Sequence, residues 1–482
     1  MGRPGVRSPA PGPRRRAVAL AGALILAVAC EGGPVPVEPG FPEVPSPEPR
    51  IGSGAVAPIP ANVLGAMVTG RTRFADSAAV RYGLAGSPLD SLTPAQPYAG
   101  DSAAIPVLGL LPDTTYAFEI VAYGRGGTAT SASLTLRTGP LPPDLPQYTA
   151  TGPDPSPGYV VFSAGKYGIV IDNTGRVVWY RRFDYGPGLS FEAQPNGHYV
   201  ARPGTAEPTD PHPWVQIDPL GNVMRVLDCA RGLEPRLHDL LAELDGSYWI
   251  MCDDIRSMDL SGLGGVADAQ VAATAVQHVG ADGVLLFSWT PFDHFDITDI
   301  PPAARSGTSV NWTHGNALDL DVDGNVVVSF RNLNEITKID VQTGEVIWRL
   351  GGARNQFTFA ESDPAFARQH GLRLPQPNQL MLLDNLGDSL DSRVESYTYD
   401  AEQRTVSLLG SHGATPPVTA QLGGSVQPLP SGRTLVSFGT AGRVEEYDTS
   451  GNVVWRIEGG AGYIFHAQRI RSLYRPGVGT SR

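Results

Sequence analysis

One pattern recurs six times in the C-terminal two thirds of this chain and restricts its fold more than any other feature. Each copy is an apolar run, a turn built on Asp or Gly with a following Gly, and a second apolar run that often ends in Trp. The copies are GIVIDNTGRVVWY, VQIDPLGNVMRVL, VQHVGADGVLLFSW, ITKIDVQTGEVIWRL, SYTYDAEQRTVSLL and VEEYDTSGNVVWRI. Alternating apolar positions on both sides of a turn signal a β-hairpin. A second hairpin pattern alternates with the first. It appears in FEAQPNGHYVAR, in three segments that open on His238, His314 and His370, and in VQPLPSGRTLVSFG. Its sixth copy is split between GYVVFS near Tyr159 and FHAQRIRSLY near the C-terminus. Two hairpins make a four-stranded sheet. Six such sheets, with the C-terminal strand completing the first, predict a closed six-bladed β-propeller over residues 159–475. Closure removes free sheet edges, which gives the displaced half-repeat its reason.

A chain of 482 residues exceeds one ordinary core, and 57 Gly with 44 Pro, clustered at turns, favour an all-β fold. The net charge of -12 argues against nucleic acid and against an anionic membrane surface as partners. Residues 1–29 have the form of a secretory signal: Arg14, Arg15 and Arg16 precede an apolar run from Ala17 to Ala29. That run is shorter than the ~20 residues a spanning helix needs. Cys30 follows it as the lipidated first residue of a lipobox. Plain cleavage after Ala27-Val28-Ala29 is the alternative. The expectation is an exported bacterial lipoprotein, periplasmic or anchored to the outer membrane, that touches membrane through its lipid alone. Residues 30–57 read as a Pro-rich tether. Residues 58–138 alternate as short strands, and LGLLPDTTYAFEIVAY resembles a fibronectin type III sandwich. A linker, 139–158, joins it to the repeats. Cys229 and Cys252 remain, and an oxidising compartment can pair them or leave two buried thiols.

In a propeller the inner strands surround a central channel, so residues at equivalent repeat positions converge on its mouth. His238, His314 and His370 each stand where an inner hairpin begins. The equivalent positions elsewhere fall near Glu192, Ser425 and His466. Arg331 ends the second strand of the His314 hairpin. His198, His212, His278, His294 and His412 lack repeat equivalence and read as surface or satisfied core groups.

Asn311-Trp312-Thr313-His314-Gly315-Asn316, then Val328-Ser329-Phe330-Arg331, then Arg368-Gln369-His370 with a downstream LLDN, occur in the order found in arylsulfotransferases. Over residues 150–475 the chain resembles that family. The resemblance implies a six-bladed propeller, often behind a small β-sandwich. It also implies transfer of a sulfuryl group from an aryl sulfate to a phenol without the nucleotide sulfate donor and without a cofactor. His370 would match the histidine that becomes transiently sulfated. His314, Asn316 and Arg331 would match the sulfate-binding and leaving-group residues, and His238 the further histidine. Ser425 stands at the repeat position of a family hydroxyl that binds substrate.

The chemistry suits these side chains independently. Sulfuryl transfer, like phosphoryl transfer, spreads charge over three equatorial oxygens. The Arg331 fork fits an oxyanion, and a neutral imidazole is a nucleophile near pH 7. Two other readings compete. Three histidines can bind Zn²⁺ in a hydrolase, although an adjacent Arg favours an anion, so no metal is assigned. A non-catalytic interaction propeller on a lipid tether is the other. Either can form homo-oligomers.

Overall fold

The computed structural model describes residues 46–97, 100–207, 210–360, 365–387, 391–459 and 462–477. The expected signal segment 1–29 and Cys30 lie outside the described residues. The unit Pro47–Arg482 is all-β, built mainly of antiparallel sheets joined by turns and short 3-10 segments. Among the described residues there is no α-helix, and no helix is long and apolar enough to cross a membrane.

Two sheets come first. One pairs Arg50–Ile59, Asn62–Arg73 and Ser102–Leu108. The other centres on Ser77–Leu84 against Thr115–Gly124. They enclose a core of Val68, Val80, Ile105, Phe118 and Ile120. The first strand begins at Arg50, inside the segment read as tether, so 50–57 is corrected to sheet. RIGSGAVAPI has little to bury, which hid it: the strand is mostly exposed and depends on pairing with Asn62–Arg73.

Six sheets follow, antiparallel except where Ser309–Asn311 and Thr358–Phe359 add short parallel edges. Their first strands are Phe191–Ala193, Glu234–Ala242, Gly315–Leu320, His370–Arg373, Ser425–Pro428 and, from the C-terminus, Ala467–Ile470. The last of these pairs with Tyr159–Ala164, Ile470 opposite Tyr159 and Ala467 opposite Phe162. The split hairpin is therefore joined as the sequence suggests. Neighbouring first strands lie against one another: Glu234–Ala242 on Gly315–Leu320, then His370–Arg373, Ser425–Pro428, Ala467–Ile470 and Phe191–Ala193. Between Phe191–Ala193 and Glu234–Ala242, Ser190 Oγ donates to His238 O at 3.1 Å and Ala242 N to Gln194 Oε1 at 2.8 Å.

The repeated outer hairpin has a repeated cause. In Asp172–Gly175 and Asp448–Gly451 the Asp carboxylate accepts a backbone N–H two residues on, and its carbonyl accepts the Gly N–H at 3.0 and 3.1 Å. The closing Trp packs between sheets and ties them. Trp179 Nε1 donates to Pro219 O at 2.8 Å and Trp455 Nε1 to Asn173 O at 2.9 Å. Both rings are fully buried, and an apolar side chain of such size stabilises by ~1.5–3 kcal/mol or more. Cys229 forms a disulfide with Cys252 of Tyr248–Met258, the strand paired with Glu234–Ala242.

Candidate functional site

The three histidines come together through a backbone irregularity that recurs only in their hairpins among the six first strands. In Glu234–Ala242, Pro235 opposes Cys252 and Leu240 opposes Ile250, so residues 236–239 face Met251 alone. In Gly315–Leu320, Asn316 is the extra residue between Gly315 and Ala317. In His370–Arg373, Gly371 and Leu372 face Leu382. Bulges re-aim side chains. His238 lies inside its bulge, and His314 and His370 stand just before theirs. His314 itself adopts φ +51°, and Arg368 φ +56°, left-handed conformations uncommon for side chains of this kind.

The rings of His238 and His314 lie edge to face with centroids 4.9 Å apart. Phe465 sits beneath them, 5.6 Å from His238 and 6.0 Å from His370. His370 is 2 % exposed. Its Nδ1 lies 2.8 Å from Asn385 Oδ1, an atom that only accepts, so Nδ1 carries the ring proton. The amide orientation is fixed by its other end, where Nδ2 donates to Ala420 O at 2.8 Å and Gly423 O at 2.9 Å. His370 Nε2 therefore holds the lone pair, approached by Gly423 N–H at 3.3 Å. His314 has the opposite assignment. Its Nδ1 is 2.7 Å from Asn311 Nδ2, a donor, which places the proton on Nε2.

Arg331 does not end a strand: Val326–Phe330 stops before it, and Arg331 opens a 3-10 turn. Its backbone N–H donates to His314 O at 3.0 Å, which fixes the two residues to each other. The guanidinium donates to Asn332 Oδ1 at 3.1 Å and Gln421 O at 3.3 Å, while Nε is buried with no hydrogen-bond partner. Asn332 Oδ1 also accepts from Arg368 Nη1 at 2.8 Å. Arg236 Nε donates to Gly315 O at 3.1 Å, and its Nη1 pairs with Asp253.

Burial dominates the titration of all three imidazoles. It drives His370 down to about 3, opposed by Asn385 and aided by Arg331. It drives His314 down to about 2, aided by Arg236 and Arg331. His238 is held well below its ordinary value by burial, then by Arg236. All three are neutral at pH 7, and Arg236, Arg331 and Arg368 stand close enough to favour that state. Burial, then Arg368, also lowers Arg331. Such a site suits an anion beside neutral imidazoles, not a dication.

The remaining candidates stand elsewhere. Asn316 Nδ2 donates to Gln369 O at 2.7 Å, and its Oδ1 is buried with no hydrogen-bond partner. Asn316 thus braces the segment that carries His370. Ser425 Oγ accepts from Ala467 N at 3.0 Å and bridges two first strands. Glu192 and His466 lie together further along those strands. His278 and His294 stack on Trp249 and Trp289 instead, and His412 lies tilted against Tyr447. Sequence reasoning missed Arg236, Arg368, Asn311, Asn385 and Phe465 as parts of the site. Arg236-Leu237-His238 and Arg368-Gln369-His370 share an R-x-H spacing that could have flagged both arginines, and Asn385 closes the LLDN motif.

Among solved structures, the chain is similar to a protein of unknown function from Bacteroides caccae, with 14% identity, a TM-score of 0.43, and coverage of 66% of this chain and 100% of that one. It is also similar to a streptogramin B lyase, at 12% identity and a TM-score of 0.37 over 65% of this chain and 84% of the other. A putative 6-phosphogluconolactonase from Bacteroides fragilis matches at 12% identity and a TM-score of 0.38 over 66% and 100%. No curated protein matches. The family resemblance carried by the His314, Arg331 and His370 motifs is borne out: residues 235–460 match the model of the arylsulfotransferase (ASST) family.

Proposed function

We propose that the chain moves a sulfuryl group from an aryl sulfate to a phenol through a sulfohistidine at His370. One observation carries this reading: Asn385 holds the ring proton of His370 on Nδ1 and leaves Nε2 unprotonated, with Arg331 close enough to act on the ring. His370 Nε2 attacks sulfur, the N–S bond forms, and the bond from sulfur to the aryl oxygen breaks. Arg331 meets the equatorial oxygens with its unpartnered Nε–H. His314 Nε2–H donates a hydrogen bond to the aryl oxygen as it departs as a phenolate. In the second half, the acceptor enters as its phenolate, accepts the same hydrogen bond and takes the sulfuryl group, which restores His370. His238 lies beside His314 as a further partner for the sulfate. Asn316 serves as a positioning residue behind His370.

The test is mass spectrometry of protein quenched after mixing with 4-nitrophenyl sulfate alone. The expected result is a gain of one sulfuryl group on the peptide that holds His370, absent in His370→Asn. Full transfer activity in that variant would sink the mechanism.

The finer architecture is part of the same proposal. Six sheets with first strands in mutual contact support a closed six-bladed propeller, and the two preceding sheets support a fibronectin type III-like sandwich. Export as a Cys30-anchored lipoprotein rests on the sequence. Fatty-acid label lost in Cys30→Ala would support it, and label retained would refute it.

A further inference from the structure

A second polar cluster lies along the same first strands, past the histidine-bearing ends. Glu192, Asp239 and His466 are 1 %, 3 % and 1 % exposed, and they come from three strands distant in sequence. Each offers a ligand atom, and these atoms lie within 4.8 Å of one another. That spacing is what a single ion bonded at ~2.0–2.3 Å to each would require. Two further facts point to a ligand. Glu192 Oε1 and both ring nitrogens of His466 are buried without an aligned hydrogen bond, although Oε1 and Nδ1 approach to 2.5 Å. The cluster also lines a cavity of about 160 Å³, so it is a recess and not a packed core.

The local charge agrees. Asp319 lines the same cavity. Four carboxylates line it, Glu192, Asp239, Asp319 and Asp321, against Lys338, paired with Asp321, and Arg373, 3.3 Å from Asp239. The balance is two negative charges in excess. At the histidines the balance is the reverse: Arg236 is paired with Asp253, and Arg331 and Arg368 stand with three neutral imidazoles. The arginines that exclude a dication there are outnumbered by carboxylates here.

We infer that Glu192, Asp239 and His466 bind one divalent transition-series cation. One imidazole nitrogen with two carboxylates favours Zn²⁺ or Mn²⁺ over Ca²⁺, which prefers oxygen ligands alone. The ion would join Phe191–Ala193 and Glu234–Ala242 to the segment entering Ala467–Ile470, the strand that completes the first sheet. Its role is to clip that junction, and Phe465, stacked 4.5 Å from His466, lies between it and His370. The inference does not depend on the sulfuryl-transfer proposal.

The test uses the full chain stripped with a chelator and dialysed against Zn²⁺ and, separately, Mn²⁺. The expected result is one ion per chain and a higher Tm. Glu192→Gln and His466→Gln should each weaken binding by more than the ~10–100-fold that loss of an outer partner costs. His370→Asn should bind as the parent does. Failure of the stripped protein to bind either ion would overturn the inference, as would unchanged binding in His466→Gln or loss in His370→Asn. Pulsed EPR of the Mn²⁺-loaded parent decides the matter if those variants do not fold. One coupled imidazole nitrogen is expected, and three or none would also overturn it.

Discussion

At His370 the outcome depends on which ring nitrogen carries the proton. Asn385 decides it, because Oδ1 can only accept and the amide is locked by Ala420 O and Gly423 O. Asn385→Ala should therefore lower the rate of the first half-reaction without removing the nucleophile. The fall should be one or more orders of magnitude, bounded by the ~10⁴ that a wrongly held tautomer costs in a serine protease. A rate within twofold of the parent would show that the tautomer is set by something else. The pH profile is a second consequence. Burial holds His370 at about 3, so its free base persists through pH 6.5, where an ordinary imidazole is half protonated. kcat/KM reports the free enzyme. For aryl sulfate it should stay level from neutral pH down through 6.5 and fall only toward about 3. An acid limb centred near 6.5 would contradict an imidazole buried to this degree.

At the scale of the hairpin, geometry that the sequence does not display places the histidines. The apolar periods, the Asp-Gly turns and the split final repeat were legible, because each follows from local alternation or from the need to close a sheet. The bulges at residues 236–239, at Asn316 and at Gly371–Leu372 were not, because a bulge is defined by two strands in register and neither strand alone encodes it. The same holds for Asn385, which becomes a partner of His370 only when Gln379–Asp384 pairs beside it. His238, His314, His370 and Arg331 stand out in the sequence because they carry repeat positions or motifs. Arg236 was missed because its spacing to His238 recurs only once more. Gly371 tests the importance of the bulge. Its φ is +64°, and a Cβ added there would lie 2.7 Å from Ser425 Cα, in backbone that cannot swing away. Gly371→Ala should cost ~1–3 kcal/mol from the left-handed conformation, with more from the contact, and should impair transfer by moving His370. Equal Tm and equal activity would mean that the strand tolerates a different path.

Across the whole molecule, stability and site share one structural condition, the return of the C-terminal strand to the first sheet. Ala467–Ile470 gives Tyr159–Ala164 its second ladder, and Ile470 and Leu473 are buried with Val161, Val170 and Phe191. Tyr474 Oη accepts from Leu108 N at 3.1 Å, so the same segment reaches the preceding sheets. Removal of residues from Phe465 onward would strip these contacts together. It would also leave Tyr159–Ala164 as an open, apolar edge, the form of strand that pairs with other chains. Two buried aliphatic side chains contribute ~1.5–3 kcal/mol each, and Phe465 adds a third large apolar group. Against a total stability of ~5–15 kcal/mol, that loss is a large fraction. The truncated chain should unfold at a much lower Tm or be recovered as aggregate. Ile470→Ala, which keeps the ladder, should cost only the ~2–5 kcal/mol of one large-to-small change in a core. The comparison separates closure from simple burial. If the truncation lowers Tm no more than Ile470→Ala does, the strand is packing material and the ring does not depend on it. A drop well beyond that variant's would mean that closure itself holds the six sheets, and with them the spacing of His238, His314 and His370.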